Sequence, residues 1–123
     1  MYKRYNPNPD NKRVGDCIIR AITKATGKSW DQIYWELANL GFEMCVMPSE
    51  NEVWHEYLYR VGFNRYIIPD TCPSCYTVRD FAYDHPYGTF ILGTGSHVIA
   101  VVNGDYYDTW DSGDEVPVFY WRR

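Results

Sequence analysis

The sequence has no apolar run long enough to cross a bilayer. Nor does it open like an export signal, because Met1-Tyr2-Lys3-Arg4-Tyr5-Asn6-Pro7 places no apolar stretch after its charges. Both absences predict a soluble protein that acts in the cytoplasm and has no membrane partner. Positive charge is also short: 12 Lys and Arg stand against 16 Asp and Glu, a formal net charge of -4. That argues against nucleic acid as a partner, which needs a basic footprint. Lys3, Arg4, Lys12 and Arg13 are too few, and too mixed with Asn and Pro, to reverse it. A second Cys-x-x-Cys and any His-x-x-x-His are missing, so the paired ligand spacing of a zinc site is absent. The single pair, Cys72-Pro73-Ser74-Cys75, reads as a loop with incidental cysteines ahead of zinc or redox chemistry. Cys45 and His55 complete no ligand pattern. In a reducing compartment the 4 cysteines are expected to be mostly reduced. Repeats, linkers and low-complexity runs are lacking too, and 123 residues suit one domain, 1-123.

What is abundant is aromatic: 18% of the chain, within a hydrophobic share of 46% that suffices for a core. Residues 1–15, with Pro7 and Pro9, read as an extended arm. Residues 16–26 read as a helix whose broad apolar face carries Ile18, Ile19, Ala21, Ile22 and Ala25, with Asp16 as N-cap and Gly27 as stop. Ser29 and Gln32 form a capping box for a helix over 29–41, stopped by Gly41. Ser49 and Glu52 repeat the device for 49–60, stopped by Gly62. Residues 63–68 predict a strand and 77–82 a short capped helix that ends by His85, before Pro86. Strands follow at 89–92 and 97–102, and Asn103-Gly104 is a strong hairpin signal that returns the chain over 105–110. A last strand over 116–121 carries Pro117, which marks it as an edge. Helices first and strands after predict an α+β fold with an antiparallel sheet.

The chemistry starts at Gly15-Asp16-Cys17, which puts a thiol where an apolar helix begins. Helix N-termini favour negative charge and hence the reactive thiolate. A nucleophile of this kind needs a base, a group that orients the base, and donors for an oxyanion. Of the 3 histidines, His55 falls on an amphipathic helix and His85 at a helix end. His97 stands at the mouth of the apolar strand Val98-Ile99-Ala100-Val101-Val102, after the loop Gly93-Thr94-Gly95-Ser96. Pairing Val102 with Asp105 across the hairpin sets Asp108 opposite Ile99, within diagonal reach of His97. Asp108 is preferred as the orienting carboxylate, and Asp111 remains the alternative.

A Gly-x-Cys that opens a buried helix, then a strand-initial His, then an Asp on the next strand, resembles the papain-like cysteine peptidases (clan CA). The nearest resemblance is to their compact bacterial and phage members of the bacteriocin-processing kind. It covers the order and spacing from about Asn11 to Trp110. It implies a papain-like fold with the nucleophile helix packed on the sheet, and a Cys17, His97, Asp108 triad. Asp108-Thr109-Trp110 resembles the segment that holds the histidine in that family, with Trp110 as a shield from water. The glutamine that family carries six residues before its cysteine is Asn11 here, one methylene shorter. Asn11 is therefore the expected oxyanion donor beside the Cys17 amide, with Asn8 in reserve. Asp16 next to the thiol is unfavourable for thiolate formation unless its side chain turns onto the helix amides.

The resemblance implies a cysteine-dependent hydrolase of peptide or isopeptide bonds that works through an acyl-enzyme, takes a protein or peptide substrate, and requires no metal or organic cofactor. Two other functions stand beside it. One is glutamine deamidation or acyl transfer on the same fold; the other is a catalytically silent protein-binding module.

Overall fold

The computed structural model describes residues 1–123. It contains four helices, α1 (Cys17–Thr26), α2 (Trp30–Met44), α3 (Asn51–Arg60) and α4 (Val78–Asp84). The strands are β1 (Tyr2–Arg4), β2 (Asn64–Ile67), β3 (Thr89–Gly93), β4 (Val98–Val102), β5 (Asp105–Asp108) and β6 (Phe119–Arg122). The class is α+β. The six strands form one sheet in the order β1-β5-β4-β3-β6-β2.

Both faces of the sheet are covered, which explains why β4 reads as an unbroken apolar run. Side chains alternate across a strand. Val98 and Ala100 therefore join Ile22, Ile33, Leu37, Val53 and Leu58 beneath α1, α2 and α3. Ile99 and Val101 join Phe81, Phe90, Leu92 and Tyr106 beneath α4. Helix α1, which begins at Cys17, lies on the first face, mainly over β4, and Gly27 ends it in the left-handed region at φ 76°. Asn103-Gly104 makes the expected turn, with Val102 opposite Asp105 and Ala100 opposite Tyr107. The paired register of β4 and β5 ends at Ala100 and Tyr107, one residue before Asp108.

Several expectations need correction. The sheet is mixed, not antiparallel, because Tyr2–Arg4 in the expected arm runs parallel to β5. Parallel pairing is non-local and leaves no turn signal in the sequence. β6 is not an edge: it lies between β3 and β2. Pro117 precedes the strand and so costs the ladder nothing. Gly41 does not stop α2, which continues to Met44 and is capped by Cys45 at φ 62°. A Cβ at Gly41 would meet the Pro48 Cα and the Val46 carbonyl at 3.0 Å, so the glycine is there for the chain that folds back onto it. Ser29 accepts from the Gln32 amide, but Gln32 reaches forward to Glu36 instead of back. α3 starts at Asn51 with no side-chain cap; Asn51 accepts from the Trp54 indole. The full reciprocal capping box occurs only at α4, between Thr77 and Asp80.

Candidate active site

Cys17 is the first helical residue of α1. Asp16 stands at the N-cap position, and its carbonyl accepts the first helical bond, from the Arg20 amide, at 2.8 Å. The Cys17 amide thus belongs to the turn whose N–H groups have no partner within the helix. The Asp16 side chain does not turn onto those amides. It is buried elsewhere: Oδ1 accepts from Arg20 Nη1 at 2.6 Å and Oδ2 from Trp30 Nε1 at 2.9 Å. The expected cap is absent, and the charge beside the thiol is met by a buried cation instead.

His97 is fixed by the loop before it. Thr94 Oγ1 accepts from the amides of Ser96 and His97, at 3.2 and 2.9 Å, and the Thr94 amide donates to the His97 carbonyl at 2.8 Å. This hydroxyl-capped turn leaves the ring at the head of β4. Its Nε2 lies 2.6 Å from Asp108 Oδ2, so Nδ1 is the nitrogen left for Cys17. The two groups act on each other. Burial by itself lowers the His97 value, but hydrogen bonds to Asp108 and Cys17 outweigh it and raise the imidazole to about 9. Burial pushes the Cys17 thiol up; the His97 hydrogen bond and charge, the Val98 amide and the Arg20 charge together bring it below its ordinary value. These are the directions that favour a thiolate–imidazolium pair.

Asp108 is wholly buried. Its Oδ2 accepts from His97 and from Ser112 Oγ at 2.7 Å; its Oδ1 accepts from the Thr109 amide at 2.7 Å and from Arg20 Nη2 at 2.9 Å. Burial raises its pKa, but hydrogen bonds from His97, Ser112 and Thr109 and the His97 charge hold it below the usual carboxylate value. Asp111 does not meet the imidazole. It accepts from the Tyr106 hydroxyl and the Gly113 amide, and Arg79 lies 3.7 Å away. The Trp110 ring lies against His97, with centroids 5.3 Å apart and planes 30° from parallel. Trp110 is itself 43% exposed, while the imidazole it covers is largely buried.

The arm is less tightly tied to this centre. Asn11 is exposed at φ 55°, and its Oδ1 accepts from Asn6 at 3.4 Å, which leaves its amide hydrogens out of the turn. Asn8 braces the arm by accepting from the amides of Asp10 and Lys12. Cys72 and Cys75 are joined as a disulfide, against the expectation of reduced cysteines; Cys17 and Cys45 are free. His85 bonds the Phe81 carbonyl, and His55 packs among Trp54, Phe119 and Trp121. Neither joins the centre.

Arg20 and Ser112 were not foreseen from sequence. The signal for Arg20 was present: it is the one charged residue between the apolar pairs Ile18-Ile19 and Ala21-Ile22, and a cation there needs buried partners. Ser112 had no comparable signal, being one turn former among several. A recess of about 320 Å³ is lined by Gly15, Asp16 and Ile18, which flank Cys17 in sequence, by Leu37 and Ala38 of α2, and by Pro48. Comparison with family models, with curated proteins and with solved structures finds no match for this chain.

Proposed function

We propose that the protein is a papain-like cysteine hydrolase acting on an amide bond, peptide or isopeptide, through Cys17, His97 and Asp108. One observation carries the reading: His97 sits between the buried Asp108 carboxylate, at 2.6 Å, and the thiol at a helix N-terminus, and the imidazole and thiol are shifted in opposite directions. Asp108 holds the tautomer and stabilises imidazolium, the part a third triad member plays.

In this mechanism the Cys17 thiolate forms a bond to the carbonyl carbon, and the carbonyl electron pair moves onto oxygen. The Cys17 amide donates to that oxyanion, and the Asn11 side chain is the second donor, brought by the arm. His97 passes its proton to the leaving nitrogen as the C–N bond breaks. It then removes a proton from water, which attacks the thioester and restores the thiol centre. The mostly apolar recess beside Gly15 and Asp16 suits an uncharged side chain of the substrate.

The test is alkylation by iodoacetamide at mildly acidic pH, read at Cys17 by peptide mass spectrometry. Cys17 is expected to react well ahead of a model thiol and ahead of Cys45, and His97→Ala to remove the advantage. Equal rates for Cys17 and a model thiol, unchanged by His97→Ala, would sink the proposal. Fragment masses against a one-dalton shift on candidate substrates separate cleavage from deamidation.

A further inference from the structure

The Asp16 charge adjoins a group that has to become an anion. Left alone it opposes thiolate formation. Its partner is Arg20, one helical turn along the same helix and only 5% exposed. The guanidinium is split between two carboxylates, with Nη1 on Asp16 at 2.6 Å and Nη2 on Asp108 at 2.9 Å. It therefore joins the residue that precedes the nucleophile to the residue that orients the base. The remaining carboxylate oxygens are taken by Trp30 Nε1 on the Asp16 side and by His97 and Ser112 on the Asp108 side. A fork of fixed geometry is needed to reach both, which a lysine ammonium does not offer.

We propose that Arg20 is a positioning residue of the triad, a buried clamp that ties the first turn of the nucleophile helix to Asp108 and cancels the Asp16 charge beside the thiol. The proposal rests on the reading of Cys17 and His97 as a nucleophile and its base. The titratable or charged groups around the cluster are Asp16 and Cys17 at the start of α1, Tyr34 from α2, His97 at the head of β4, Asp108 from β5, and Tyr2 from β1, whose hydroxyl donates to the Asp108 carbonyl. Tyr34 lines the same recess as Asp16, and Lys24 is held over the Tyr5 and Tyr107 rings. β3 contributes no titratable side chain. The Arg20 charge is one of the influences that lower the Cys17 thiol.

The experiment is the pH dependence of Cys17 alkylation in wild type, Arg20→Gln, Asp16→Asn and the double variant, read by peptide mapping of the full chain. Arg20→Gln uncovers the Asp16 charge. Its midpoint is expected to rise by about one pH unit, which slows alkylation about tenfold on the acid limb. Asp16→Asn keeps one acceptor oxygen, enough for Arg20 or Trp30 but not both, and leaves the cation in excess, so its midpoint is expected to fall. The double variant is expected to lie between the two. Opposite shifts support the clamp; shifts of the same sign, or none, overturn it, because a purely structural role predicts impairment from either change. If Arg20→Gln does not fold, Asp16→Asn decides alone: a lower midpoint supports the proposal, and an unchanged or higher one overturns it. A wild-type midpoint no lower than that of a model thiol would instead overturn the nucleophile reading itself, and the clamp with it.

Discussion

Replacing Asp108 by Asn tests whether the buried carboxylate is what keeps His97 charged. The imidazole is raised from 6.5 to about 9, which at 1.36 kcal/mol per unit is about 3 kcal/mol in favour of imidazolium. Because the folded value exceeds the unfolded one, this contribution to stability is complete below pH 6.5 and is lost as pH rises through about 9. Asn retains the shape and one acceptor oxygen but removes the charge. Burial alone lowers the His97 value. The Asp108→Asn imidazole is therefore expected to fall, and the equilibrium between ion pair and neutral pair to move toward neutral by about tenfold for each unit lost. The assay is a ¹H–¹⁵N titration of the histidine rings, with His55 and His85 as internal references. Arg20 loses one of its two anions in this variant, so thermal unfolding is recorded beside the titration; breaking a buried pair costs about 3–5 kcal/mol. A folded Asp108→Asn protein whose His97 still titrates near 9 would refute the reasoning.

The recess gives a second prediction. Ala38→Leu fills space between α1 and α2, and should raise KM about tenfold or more for a substrate that places an apolar side chain there, with kcat little changed; steady-state kinetics on a series of substrates checks it. His55 gives a third. Burial first, and then the Arg65 charge, depress its imidazole to about 4. The unfolded chain binds this proton more readily, so stability is expected to decline as pH falls from 6.5 toward 4, and His55→Phe to flatten that part of a urea-midpoint profile. The fourth concerns Gly93, where a Cβ would run into the Phe119 ring on the neighbouring β6. Gly93→Ala should cost about 1–3 kcal/mol by denaturant titration, and slow Cys17 alkylation through the loop that carries His97.

Legibility followed locality. The Asn103-Gly104 turn is written in two adjacent residues, and through it the register of β4 against β5 as far as Ala100 and Tyr107 was readable. So were the start of α1 at Cys17 and a cap before α4, though not its reciprocal form. Several failures share one cause, a partner that only the folded chain brings into place. Gly41 looked like a stop because its reason lies in Val46 and Pro48 folding back. Asp16 looked like a cap because its true partners are a guanidinium on the same helix and an indole fourteen residues away. Tyr2–Arg4 looked like loose arm because a three-residue parallel strand exists only once β5 is there to receive it.

The pairing of Tyr2 with Tyr106 has a consequence in time. β1 and β5 meet only by closing a loop of about a hundred residues, and β6, the last strand in the chain, seats itself between β3 and β2. Contacts so widely separated form late. The Tyr5 amide and the Tyr2 hydroxyl both reach the Asp108 carbonyl, at 2.8 and 3.1 Å, so the backbone that carries the Asp108 carboxylate is steadied by the earliest residues of the chain. A nascent chain can therefore display the Cys17 helix well before Asp108 is in place. On the proposed function, the thiol gains its reactivity only when β1 has met β5, and the growing polypeptide is spared a nucleophile that works before its own fold is finished.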